Sequence, residues 1–133
     1  MDKLKSTRHA KYMLNYHMVW IPKYRRKVLT GQVAETVKIA LQTAAETKGW
    51  EILAMEVMPD HVHLFVSAPP RFAPAEIVKT LKGWSVRRVL MAFPDLTQKT
   101  YRGRFWVPSY YVGTAGSVST ETIRRYIEEC QDH

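Results

Sequence analysis

Cysteine is nearly absent. Cys130 is the only one, so no intrachain disulfide can form, and a closed four-ligand structural zinc lacks its thiolates. This usage fits a reducing compartment, and a cytoplasmic protein is expected. Also missing is any apolar stretch approaching the roughly 20 residues of a spanning helix, and the opening MDKLKSTRHAKY has no apolar leader core. No membrane partner is expected. Acidic residues are scarce as well: 12 stand against 20 lysines and arginines, for a formal charge of +8. That imbalance favours a polyanionic partner such as nucleic acid. No repeat, low-complexity tract or long linker divides the 133 residues, so a single domain over 1–133 is expected.

What is present orders itself into alternating elements. Residues 12–21, YMLNYHMVWI, form an aromatic and β-branched run that Pro22 stops, which predicts a central strand apolar on both faces. From Gly31 to Lys48 the positions Val33, Val37, Ala40, Leu41 and Ala44 follow helical spacing, and Gly49 suits the residue just past a helix end. Two strand-like runs, Trp50 to Met58 and His61 to Ser67, are separated only by Pro59 and Asp60, which predicts an antiparallel hairpin. Pro74 opens a second helix running to about Phe93. Residues 104–112, RFWVPSYYV, read as a strand, at an edge or bulged because Pro108 cannot donate to a ladder. Ser119 can cap a last helix striped by Ile123, Tyr126, Ile127 and Cys130.

The order β-α-β-β-α-β plus a helix predicts an α+β, ferredoxin-like fold. Two helices cover one face of a four-stranded antiparallel sheet, leaving the other free for a site. The expected organisation is a core over about 12–112, a joint at about 113–118 and a C-terminal helix over about 119–131.

Strand alternation places His61 and His63 on one face and Val62, Leu64 and Val66 on the other. Two imidazoles at this spacing can share a metal, with Asp60 near enough to fix a ring tautomer. On spacing alone, two unrelated histidines on a half-exposed strand is the safer reading. Tyr126, on an apolar stripe, reads by itself as a core residue. The densest basic run, Lys23, Tyr24, Arg25, Arg26 and Lys27, suits phosphate contacts and base stacking, or is a solvated turn. Lys79, Lys82, Arg87 and Arg88 could extend a positive track along the second helix. The four tryptophans, Trp20, Trp50, Trp84 and Trp106, have apolar neighbours and read as core or interface.

Taken together, YHMVWIPKYRRKVL (Tyr16 to Leu29), MPDHVHLFV (Met58 to Val66), LKGWS (Leu81 to Ser85), FWVPSYYVGTAG (Phe105 to Gly116) and VSTETIRRYIEE (Val118 to Glu129) resemble the single-tyrosine HUH transposases of the IS200/IS605 type. HUH denotes His, a hydrophobic residue, His. The resemblance spans nearly the whole chain. It implies a homodimer that cleaves and rejoins single-stranded DNA with hairpin ends through a 5′-phosphotyrosine intermediate. It further implies that His61 and His63 bind Mg²⁺ or Mn²⁺ and that Tyr126 is the nucleophile, with Gly113 and Gly116 as a joint that lets the tyrosine helix reach its own or a partner's metal site. The edge strand over Trp106 to Val112 can serve as a dimer seam by completing a backbone ladder across a twofold axis, or is a plain edge protected by Pro108. One position departs from the pattern: where relatives carry a glutamine four residues after the tyrosine, this chain has Cys130, and its glutamine is Gln131. A domesticated relative acting on chromosomal hairpins fits the same residues. A non-catalytic nucleic-acid-binding module is the rival reading from another class, because the same open sheet serves RNA-binding domains.

Overall fold

The computed structural model describes residues 5–6, 11–12, 14–96, 104–114 and 120–129. A short antiparallel ribbon of β1 (Lys5–Ser6) and β2 (Lys11–Tyr12) precedes the main chain fold. There follow β3 (Asn15–Trp20), α1 (Gly31–Lys48), β4 (Glu51–Met58), β5 (His61–Ser67), α2 (Pro74–Ala92), β6 (Tyr111–Gly113) and α3 (Thr120–Glu129). The strands order as β4-β5-β3-β6, antiparallel throughout, which is the ferredoxin-like arrangement expected. Among the described residues no helix is long and apolar enough to cross a membrane.

Each element forms for a local reason. α1 ends at Gly49, whose φ of 77° a side chain would oppose. α2 starts at Pro74, where a missing N–H costs nothing. The hairpin pairs Met58 with His61 across Pro59 and Asp60. On one face, Tyr16, Met18 and Trp20 of β3 and Val62, Leu64 and Val66 of β5 close against Val37, Leu41 and Ala44 of α1 and Ile77, Leu81 and Val89 of α2. Trp20, Trp50 and Trp106 are buried there, with Trp84 packed against the cluster, which agrees with their sequence reading.

The structure corrects four expectations. The sheet's second face is only partly open, because α3 lays Ile127 over Ile21 and Val107. The strand expected over 104–112 contracts to Tyr111–Gly113 plus a lone bridge between Pro22 and Trp106. Pro108 breaks the ladder between them. Gly113 belongs to β6 rather than to a joint: the Tyr111 side chain folds over it, and a Cβ there would meet the Tyr111 hydroxyl at 2.6 Å. Finally, Lys82 is no part of a surface track. Its Nζ donates to the carbonyls of Val107 at 2.7 Å, Ser109 at 2.9 Å and Pro108 at 3.4 Å, so α2 staples the interrupted segment. Cys130, Gln131, Ser119 and Gly116 lie outside the described residues.

Replacing Lys82 with Met leaves these carbonyls without their donor and should destabilise the fold by about 2 kcal/mol in denaturant titrations. Burial pushes the Lys82 ammonium from its usual 10.5 down to about 8. Between those values the unfolded chain holds a proton that the folded chain has released, so this group's contribution to stability rises with pH. The stability gap between wild type and Lys82→Met should therefore widen from pH 8 to pH 10; a constant gap would refute the assignment.

Candidate metal and nucleophile site

The site is built on the face of β5 turned away from α1 and α2. His61 and His63 project there, half-buried, while Val62, Leu64 and Val66 are sealed in the core. Asp60, in the hairpin turn, takes the His61 Nδ1 hydrogen at 3.0 Å. With Nδ1 so engaged, His61 is the tautomer whose Nε2 carries the lone pair. Asp60 has a second partner, Arg25, whose Nε lies 3.7 Å from its other oxygen.

His63 stands between two groups. Glu56 of β4 approaches Nδ1 at 3.5 Å, and His17 of β3 places its Nδ1 3.2 Å from His63 Nε2. The ring of His17 stacks on Phe65, with centroids 4.3 Å apart and planes 18° from parallel. Burial, and next the neighbouring His17, hold the His63 imidazole below its usual range, opposed by the Glu56 carboxylate. It is thus kept neutral, the form a metal requires. His17 was missed in the sequence reading, because a histidine inside an apolar run looks like a tolerated core residue. Its cross-strand position was the available signal: with β3 and β5 antiparallel, His17 opposes Phe65 and shares the face of His63.

The donor chemistry fits a divalent ion in part. Two imidazoles share a face, and Asp60 and Glu56 stand behind them as acceptors that orient the rings. Among the described residues no three His, Cys, Asp or Glu side chains converge on one point, so the described chain supplies the histidine pair and not a closed cage.

Tyr126 sits on α3, partly buried against the cluster of Ile21, Val107 and Ile127. Its hydroxyl lies 3.4 Å from Ser109 Oγ, and its ring is tilted against Tyr111 at 6.5 Å. Ser109 is one of the residues whose carbonyl Lys82 holds. The same helix borders His61 from its other side. A cavity of about 520 Å³ is lined by Arg25, Glu56, Met58, Asp60, His61, Arg124, Ile127 and Glu128. Tyr126 itself is turned from that lining toward Ser109. Arg124 lines the cavity, with its guanidinium paired to Glu121 and Glu128.

Residues 10–130 match the family described as IS200-like transposases. The chain is 44% identical over 130 residues to the ISDra2 transposase TnpA of Deinococcus radiodurans, covering 98% of this chain and 93% of that protein. It is 35% identical over 128 residues to the transposase for insertion sequence element IS200 of Salmonella typhimurium, covering 96% and 84%. A crystal structure of a candidate transposase from Deinococcus radiodurans superposes with a TM-score of 0.88 at 42% identity, covering 98% of each chain. A REP-associated tyrosine transposase bound to a REP hairpin shares the fold at a TM-score of 0.56 and 16% identity, over 95% of this chain and 70% of that one. The sequence match over nearly the full length, and the fold that accompanies it, show that the chain belongs to the IS200-like transposase family.

Proposed function

We propose that this transposase cuts and rejoins single-stranded DNA at the ends of an insertion sequence through a covalent bond to Tyr126, with His61 and His63 holding Mn²⁺ or Mg²⁺. The observation that carries the reading is the pair of oriented imidazoles on one face of β5, beside the helix that bears Tyr126. When bound, the ion neutralises charge on the phosphate under attack.

The chain's own residues supply the rest. Asp60 fixes His61 with its Nε2 lone pair available, while Glu56 and His17 flank the two ring nitrogens of His63. Tyr126 exchanges its Ser109 contact for the phosphate and attacks phosphorus. The Oη–P bond forms as the bond to the 3′-oxygen breaks, leaving a 5′-phosphotyrosine and a 3′-hydroxyl. The phenol gives up one proton and the departing oxygen takes one. A 3′-hydroxyl attacking the same phosphorus later restores the tyrosine and rejoins the strand, so no external energy source is needed.

Partners follow from the same residues. The +8 charge suits a DNA strand. A hairpin as the recognised element is supported by the REP hairpin held by the REP-associated transposase of similar fold. A homodimer is supported by β6, which ends the sheet and leaves one backbone edge unpaired among the described strands.

Incubated with labelled single strands from the DNA flanking its gene and Mn²⁺, the protein should form a protein–DNA adduct that survives denaturing electrophoresis. Tyr126→Phe should abolish the adduct, and His61→Ala should slow its formation at least about 100-fold. An adduct persisting in Tyr126→Phe refutes the nucleophile, and tight hairpin binding with no adduct favours the binding-only reading. His17→Phe, which preserves the stack on Phe65 but not the nitrogen facing His63, should weaken Mn²⁺ binding about tenfold by electron paramagnetic resonance titration. Unchanged affinity would make His17 a packing residue only.

A further inference from the structure

Between the buried Ile21 and the buried Leu29 the chain makes a single 3₁₀ turn over Lys23–Arg25, and Tyr24 (φ 62°) and Arg25 (φ 51°) both lie in the left-handed region. Among the described residues they are the only non-glycine residues with positive φ. Side chains rarely adopt this conformation, and it persists only where the surroundings impose it. Here they do. Lys23 N–H donates to the Phe105 carbonyl at 2.8 Å, Arg25 N–H to the Pro22 carbonyl at 2.8 Å, and Leu29 N–H to the Pro59 carbonyl at 3.1 Å. Pro22 bridges Trp106.

Glycine or asparagine would sit in this turn at less cost, yet a tyrosine occupies it and is 47% exposed. Its described ring contacts are two cations of its own loop, Lys23 Nζ at 5.3 Å and the Arg26 guanidinium at 5.6 Å from the centroid. The next residue, Arg25, lines the cavity of about 520 Å³ beside His61 and is tied to that histidine through Asp60.

We propose that the Tyr24–Arg25 turn is a nucleotide subsite: an unpaired DNA base stacks on the Tyr24 ring while the adjoining phosphate enters the Arg25 side of the cavity that leads to His61. The inference rests on the single-strand reading above and adds to it the residue that orients the strand. Lys23 and Arg26, held loosely over the ring, move to flanking phosphates as the base takes their place. Folding bears the cost of the strained backbone because the turn sets the exposed Tyr24 next in sequence to the arginine that lines the cavity.

The probe is a fluorescein-labelled ten-nucleotide oligothymidylate, too uniform to form a hairpin, followed by anisotropy without metal at several salt concentrations, alongside thermal unfolding of each variant. Tyr24→Gly should bind about tenfold more weakly yet melt about 3 °C higher, because glycine relieves the strain. Its slope of log affinity against log salt should equal that of wild type, since no charge is removed. Tyr24→Phe should match wild type in affinity and melting temperature. Wild-type affinity in Tyr24→Gly, a lower melting temperature in that variant, or weakened binding in Tyr24→Phe would each overturn the subsite. A wild-type protein that does not bind the probe would overturn the subsite, and tight binding of a hairpin in its place would leave the proposed function standing. Failure of the covalent adduct alone would overturn the catalytic proposal and leave this subsite standing.

Discussion

The strand Asn15–Trp20 is buried on both faces, and the placement of the site depends on that burial. Toward the helices, Met18 and Trp20 anchor the sheet in the main core. Toward the other side, Val19 is sealed, and Ile21, just past the strand, is the floor on which α3 rests through Ile127. A strand held from both sides cannot slip by one residue without exchanging these two sets, so its register with β5 and β6 is fixed. That register sets His17 beside His63 and puts β6, with Tyr111, within reach of Tyr126.

Much of this was legible because the signals were local. The bounds of α1 follow from helical spacing closed by Gly49, and the hairpin from two strand runs two residues apart. Likewise, the outward face of His61 and His63 follows from alternation against Val62, Leu64 and Val66. His17 was not legible for the reason that makes β3 central: a run buried on both faces has no alternation, so nothing in it marks which side chains join which face. Only pairing with β5 resolves that. The same non-locality hid the role of Lys82. On helical spacing it is a polar-side lysine; its acceptors are three carbonyls exposed by the break at Pro108, more than twenty residues away in sequence.

The histidines and the basic turn form one electrostatic unit through Asp60. Its carboxylate accepts from His61 with one oxygen and faces the Arg25 guanidinium with the other. An arginine this close would, if it approached His61 directly, raise the cost of collecting further positive charge there. The intervening carboxylate offsets it, so the Arg25 guanidinium and the His61 imidazole can stand close together. Because the turn's backbone is fixed by hydrogen bonds to Phe105 and Pro22, Arg25 is held over Asp60 by the fold rather than by this ion pair, which at 3.7 Å and partial exposure is weak by itself.

A second chain of contacts reaches the tyrosine from the opposite direction. Lys82 of α2 holds the carbonyl of Ser109, and the Ser109 hydroxyl meets that of Tyr126. Pro108 is what makes this possible: a continuous strand from Arg104 to Val112 would point successive carbonyls to opposite sides and could not turn those of Val107, Pro108 and Ser109 together toward Lys82. The interruption that costs the sheet several residues of edge strand thus provides the docking point for the helix that carries Tyr126. Two rigid elements therefore bear on the proposed reacting groups, β3 through His17 on the imidazole side and α2 through Lys82 on the phenol side. Since both are anchored in the same core, the histidine pair and the position of Tyr126 are set by one packed unit.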